Sequence, residues 1–333
     1  MWLAHLTDYV FFLAEVITLV IAILIVFAGI VAIAAKNKVR KKGQLHIKSL
    51  DEQYKETKKK IVTEVLPKSE IKALLKEDKR QKKAQSKKDE QKLRVFVLQF
   101  DGDIHASQVE SLREEITAIL SIATSDDEVV IKLTSPGGTV HGYGLAASQL
   151  ERIRKANIPL TIIIDKVAAS GGYMMASVAD KILAAPFAII GSIGVISQLP
   201  NFHRWLESRG IDFEQHTAGQ FKRTLTVFGK NTQEGREKFK AELEEIHRLF
   251  KKHIQTFRAQ LDVDKVATGE YWLGDDAYQL GLVDHISTSD DYLFGLFNTE
   301  GKSVYEVTYK QKQSAMKKIT SKTQSWLMKQ PEL

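Results

Sequence analysis

Apolar positions dominate the start of the chain. From Val16 to Ala35, twenty consecutive residues carry no charge. A helix of that length rises about 30 Å, the thickness of a bilayer's hydrocarbon core. The residues before it, "MWLAHLTDYVFFLAE", contain no Lys or Arg, and the run exceeds the apolar region of a signal peptide. An uncleaved anchor over residues 1–35 is therefore expected, although "AIAA" has the small residues of a cleavage site. Glu15 falls at the edge of the run, where a carboxylate sits at the interface. After the anchor the pattern is lost. "EDKRQKKAQSKKDEQK" (77–92) offers too little apolar surface to offset chain entropy, which predicts a basic, solvated linker or frayed helix over 36–93.

From Arg94 the pattern returns as alternating strand and helix periods. "RVFVLQF" (94–100), "EVVIKL" (128–133) and "PLTIII" (159–164) read as strands. Residues 107–120, opening on a serine cap, and 140–157 read as helices, with a further helix from the Ser170 segment to about Asp180. "ILAAPFAIIGSIGVIS" (182–197) is 16 residues long and broken by Pro186, Gly191 and Gly194, so two short buried strands fit it better than a membrane span. A charged helix from about Thr232 to Gln260 predicts an amphipathic arm or cover. Strands alternating with helices mean βαβ units and a mostly parallel sheet. No internal repeat or linker divides 94–333, so an α/β fold forming one domain is expected there.

Charge changes the picture in one place. The chain has a net charge of +7, yet residues 36–94 hold 21 Lys/Arg against 9 Asp/Glu, leaving 27 against 32 elsewhere. The basicity belongs to the segment after the anchor. A nucleic-acid tail would need aromatic residues for base stacking, and that segment has only Tyr54. Attraction to membrane lipid headgroups explains it more simply, and no nucleic-acid partner is expected. By the positive-inside rule "KNKVRKK" lies in the cytoplasm. The chain has no cysteine, which excludes disulfides, a thiolate nucleophile and Cys-ligated metals. His-Glu-x-x-His spacing and a Walker loop are also missing, so neither metal nor cofactor is called for.

Candidate chemistry gathers at three glycine-bearing turns, "TSPGGTVHG" (134–142), "AASGGY" (168–173) and "GSIGV" (191–195), each at a strand's C-terminal end, where α/β sheets place their sites. Small residues around Ser170 also suit plain close packing, and "SPGG" alone suits a plain tight turn. Two such turns with a serine on one also fit a nucleophile beside bare N–H groups that would hold an oxyanion.

"SPGGTVHGYG", "DKVAASGGYMMA", "GSIGVI", "TAGQFKRT" and "GLVD", in that order, resemble the signal peptide peptidase A family, and most of all its single-domain, membrane-anchored bacterial branch. The likeness covers residues 94–290 and the anchor. It implies a Clp-protease/crotonase-like spiral of βαβ units, a serine endopeptidase with a Ser–Lys dyad, a ring-shaped homo-oligomer and an inner-membrane location. Its substrates would be peptides or unfolded protein segments. A Ser-His-Asp site of the Clp type would carry its histidine on the strand after the serine's helix, and Lys181 to Gln198 has none. His141, His203 and His216 have no motif around them. The base expected is Lys222, which follows the strand-like "IDFEQHTAG" (211–219) and matches the family's Gly-x-x-Lys, with Lys166 as its rival. By the same resemblance Ser192 orients the lysine amine, and Gly138, Gly171 and Gly137 supply the oxyanion hole. Thr134 departs from the Asp or Asn of many relatives, which touches the support of the turn. A crotonase-like acyl-CoA enzyme and a non-catalytic membrane scaffold are the competing readings.

Overall fold

The computed structural model describes residues 2–36, 43–72, 76 and 93–310. The basic flank 37–42, the Lys-rich stretch 77–92 and residues 311–333, on which some of the expectations above fall, lie outside them. The chain divides into two units, Met1–Gln44 with Lys310–Leu333, and Leu45–Tyr309. In the first, helix α1 (Trp2–Lys36) is long and apolar enough to cross a membrane, with a mean hydropathy of 2.8 over Tyr9–Val26 and none of that window buried.

The second unit is a mixed α/β body. Strand β1 (Gln44–Ser49) and helix α2 (Leu50–Val65) precede β2 (Arg94–Asp101), α3 (Val109–Leu120), β3 (Glu128–Thr134) and α4 (Val140–Lys155). Then come β4 (Leu160–Ile164), β5 (Val167–Ala169), α5 (Gly171–Ala176), β6 (Lys181–Ala184), β7 (Ile189–Gly191) and α6 (His203–Glu207). The long α7 (Gln233–Phe257) leads to α8 (Val263–Val266), β8 (Tyr271–Leu273), α9 (Gly274–Gln279), β9 (His285–Ile286), α10 (Ser289–Asn298) and β10 (Ser303–Lys310). The large sheet runs β1-β10-β2-β3-β4-β6-β9 and the small one β5-β7-β8. Every pairing from β10 through β9 is parallel, as the alternation of strands and helices requires.

A repeated unit emerges from this order. After β3 the chain forms a bridge from Ser135 to Ala168 and then enters α4. β4 gives way to β5 and then α5, and β6 gives way to β7. Each turn of the chain thus places one segment in the large sheet and the next beside the small one, the stepwise progression of a spiral. The alternation along β2 shows why both faces are filled. Phe96, Leu98 and Phe100 face a core with α3 and α4, while Val95 and Val97 face Leu183, Leu293, Leu296 and Val304. Burying each such side chain contributes about 1.5–3 kcal/mol.

Four local expectations are corrected. The segment 36–93 is not wholly a linker, because β1 lies at the edge of the large sheet beside β10. Ser49 Oγ caps α2 by accepting the Glu52 N–H at 3.3 Å, and the Asp51 carboxylate accepts the Val304 N–H at 2.8 Å. Tyr54 stacks on Phe297 with ring centroids 5.3 Å apart. A few apolar and capping residues among the lysines suffice to dock this piece. Helix α3 begins at Val109 with Gln108 in the N-cap position, so Ser107 does not cap it; Asp103 instead takes the His105 and Ser107 N–H groups into a preceding turn. Helix α5 stops at Ala176, short of Asp180, whose carboxylate instead accepts the Leu160 N–H. The strand-like "IDFEQHTAG" is irregular and exposed, and it joins neither sheet among the described residues.

Candidate active site

The small sheet positions the serine. β5 and β7 are parallel, with Ala169 beside Gly191 as the last pair. Ser170 and Ser192 are therefore the next residues on adjacent strands, and both turn into the left-handed region, with φ of 52° and 49°. Such a backbone costs a non-glycine residue about 1–3 kcal/mol and persists only where neighbours impose it. At Ser170 they do. Its N–H donates to Gly191 O at 2.7 Å and its carbonyl accepts the Met174 N–H at 3.0 Å. Although Ser170 holds the N-cap position of α5, its hydroxyl makes no capping bond. Half-buried, that hydroxyl is free for chemistry.

The "SPGG" turn lies directly over this corner. A Cβ added to Gly137, where φ is +88°, would fall 2.7 Å from Ala169 O, 2.8 Å from Ser170 Cβ and 2.9 Å from Gly171 N. Only glycine allows that approach. At Gly171 a Cβ would collide with the Tyr143 ring. The turn is braced by a directional chain of hydrogen bonds. Gly137 N–H donates to Ser135 Oγ at 3.1 Å, Ser135 Oγ lies 2.5 Å from Tyr143 Oη, and Tyr143 Oη donates to Asp103 O at 2.9 Å. With one hydrogen per hydroxyl, Ser135 is the donor to Tyr143.

This chain has a consequence for the expected oxyanion donors. The Gly137 N–H is already engaged by Ser135, which leaves it the role of a tight turn. The Gly138 and Gly171 N–H groups have no partner among the described residues. They flank Ser170 in a cavity of about 90 Å³ whose remaining wall is apolar, including Val140, Met174, Ile196, Ile246 and Phe250. Ser135, Tyr143 and Asp103 were not foreseen as site residues. The signal was present in "SPGG", since a buried turn needs a side chain to take its N–H groups.

Lys222 sits elsewhere. It is exposed, its N–H donates to Gly219 O at 3.2 Å, and it lines a separate open pocket of about 630 Å³ with Leu199, Phe213, His216 and Phe228. Helix α7 sets the distance. Its first turn holds the Lys222 loop, through Gln220 Nε2 to Glu234 Oε1 at 3.1 Å and through Gly235, packed on the Thr224 carbonyl. Phe250, in the Ser170 cavity, is fifteen residues further along the same helix, an axial separation of about 22 Å. Within one copy, Ser170 and Ser192 follow the last paired residues of β5 and β7, while Lys222 lines the other pocket. Lys166 is exposed at the start of β5, about 13 Å along the chain from Ser170. His141 and His216 are exposed, and none of the three histidines considered above lines the Ser170 cavity.

Residues 4–150 match the family pattern described as "Peptidase family S49 N-terminal", and residues 152–296 match "Peptidase family S49". The chain is 49% identical over 326 residues to "Probable protease SohB" of Haemophilus influenzae, covering 94% of this chain and 92% of that protein. It is 47% identical over 298 residues to "Probable protease SohB" of Buchnera aphidicola subsp. Schlechtendalia chinensis, covering 86% and 97%. Among solved structures, a mutant of the 1510-N membrane-bound stomatin-specific protease aligns with a TM-score of 0.41 at 16% identity, covering 62% of this chain and 86% of that one.

Proposed function

This chain belongs to peptidase family S49, and on that premise we propose that it is a membrane-anchored serine endopeptidase using Ser170 as nucleophile and Lys222 of a neighbouring copy as base. One observation carries the nucleophile assignment. Ser170 is held at a strained φ with an uncommitted hydroxyl, beside two unpartnered N–H groups in an apolar cavity. Strain of this kind is maintained where a side chain must be presented. The neighbour enters because α7 keeps Lys222 far from Ser170 within one copy, while the loop region around it exposes Phe202, Trp205, Phe213, Phe221 and Phe228. A ring of copies covers such a surface.

In the proposed cycle the neutral Lys222 amine takes the Ser170 proton as Oγ attacks the substrate carbonyl. A lysine acts as base only when neutral, and desolvation favours that form. The Gly138 and Gly171 N–H groups hold the oxyanion, and the Lys222 ammonium returns its proton to the leaving amine. Water then gives a proton to Lys222 and attacks the acyl carbon, and collapse releases the new carboxyl and restores the Ser170 hydroxyl. Ser192, one strand over from Ser170, orients the amine. The substrates are peptides or unfolded segments near the membrane. The anchor is a single pass in the bacterial inner membrane, with the body on the cytoplasmic side by the Lys/Arg-rich flank after α1.

The test uses a fluorophosphonate probe and subunit mixing. The probe labels the parent at Ser170 and does not label Ser170→Ala. Ser170→Ala and Lys222→Ala are each inactive, and their mixture regains part of the parental peptide cleavage, because mixed assemblies contain intact pairs. An unlabelled parent sinks the nucleophile assignment in favour of an acyl-CoA enzyme or a scaffold. A mixture that stays inactive, when both proteins co-assemble, sinks the shared site.

A further inference from the structure

Helix α7 touches both halves of the proposed chemistry, and one polar contact fixes it to the nucleophile helix. Ile246 and Phe250 of α7 form part of the wall of the Ser170 cavity. One turn further on, His253 Nε2 lies 3.0 Å from the carbonyl oxygen of Met174, which belongs to α5 and itself lines the cavity. A carbonyl only accepts, so Nε2 carries the hydrogen and Nδ1 is bare. Burial lowers the His253 pKa from its usual value, which keeps the ring in this neutral form. It meets the Phe257 ring in a T-shaped contact with centroids 5.0 Å apart, and Arg154 of α4 lies over that second ring at 5.4 Å.

The rest of α7 explains why this bond matters. Of its 25 residues only Gly235, Phe250 and Ile254 are buried; Gly235 packs on the Lys222 loop, so it is the C-terminal part that holds the helix beside the Ser170 cavity. Apolar contacts there resist separation but slide along one another, whereas a hydrogen bond fixes register. We infer that His253 is a positioning residue that locks α7 onto the nucleophile helix, setting the shape of the cavity beside Ser170. The inference rests on the serine-peptidase reading of that cavity. His253 touches no substrate. It acts through Phe250 and Ile246, whose placement decides how a peptide side chain is seated.

The experiment compares steady-state peptide cleavage by the full-length parent, His253→Leu and His253→Gln, with thermal midpoints measured alongside. His253→Leu keeps the apolar volume and removes the donor, leaving the Met174 carbonyl without this partner. KM then rises about tenfold, the effect of one lost hydrogen bond, while kcat changes by less than about threefold. His253→Gln presents an amide N–H to the same carbonyl and keeps KM within about twofold of the parent. A His253→Leu enzyme with parental KM overturns the inference, and so does a Gln variant as impaired as the Leu variant. If His253→Leu does not fold, the Gln variant decides by its KM. Failure of the underlying reading looks different, since the parent itself would neither cleave peptides nor accept the fluorophosphonate.

Discussion

The serine side of the molecule and the lysine side are built in opposite ways. Around Ser170 almost everything is buried and bonded, with α5 wholly buried, a strained backbone and a glycine turn braced by Ser135 and Tyr143. Around Lys222 there is little secondary structure beyond the five-residue α6 and the first turn of α7, and five aromatic side chains stand exposed. The difference teaches where each side obtains its order. The proposed nucleophile is preorganised by its own chain, through contacts that exist in a single copy. The lysine loop has spare apolar surface and awaits order from outside, which is what a residue serving a neighbour's site requires.

The sharpest way to break this comparison is to alter both centres and read stability as well as activity. Ser170→Gly and Lys222→Arg should each lower kcat/KM at least about 10³-fold, since one removes the nucleophile and the other a base that a guanidinium cannot replace. Their stabilities should diverge. Ser170→Gly relieves the positive φ and gains on the order of 1 kcal/mol, seen as a higher thermal midpoint, whereas Lys222→Arg leaves the midpoint unchanged. Equal midpoints in the two variants would mean that the serine corner stores no strain. Next in size is Tyr143→Phe, which removes the hydroxyl between Ser135 and the Asp103 carbonyl. We expect a loss of about 1–3 kcal/mol in denaturant unfolding and roughly tenfold in kcat as the Gly138 N–H drifts from the oxyanion. An unaltered kcat would separate the brace from catalysis.

The smallest effect concerns Glu115 in α3, far from the lysine side. Its carboxylate accepts the Tyr309 N–H at 2.7 Å, and burial pushes its pKa up to about 7. The unfolded chain ionises near the usual Glu value, so the native state binds the proton more tightly. Its contribution to stability is therefore full at acid pH and lost as pH rises from about 4.5 through 7. Glu115→Gln should match the parent at pH 5 and exceed its thermal midpoint by a few degrees at pH 8. A variant less stable than the parent at pH 8 would reverse the sign.

Much of the serine side could be read from the sequence, because its causes are local. β-Branched runs give β3 and β4, and the small residues around Ser170 mark a turn that larger side chains would block. What escaped depended on distant partners. Leu50 and Tyr54 sit among lysines, and their packing could not be foreseen because Leu293 and Leu296 of the cluster that Leu50 joins, and the Phe297 ring on which Tyr54 stacks, come more than two hundred residues later. Gly137 was expected as a third oxyanion donor, but its N–H is taken by the Ser135 hydroxyl. The Ser107 cap failed because the helix starts one residue later, at Val109, after a turn that Asp103 ties to the Ser107 N–H. Lys222 was legible as a motif, yet on the proposed reading its path to Ser170 belongs to an assembly and is written in no single chain.

The docking of β1 and α2 bears on how this protein would survive proteolytic nicking. A scissile bond between residues 66 and 92 looks, on a linear map, like the place to shed the body from its apolar helix. Yet the stub left on the helix side would still contain β1, seated beside β10, and α2, held by Asp51 to Val304 and by Tyr54 to Phe297. A cut there yields two fragments that remain one particle until a denaturant parts them. Release requires severing the few residues between Lys36 and Gln44.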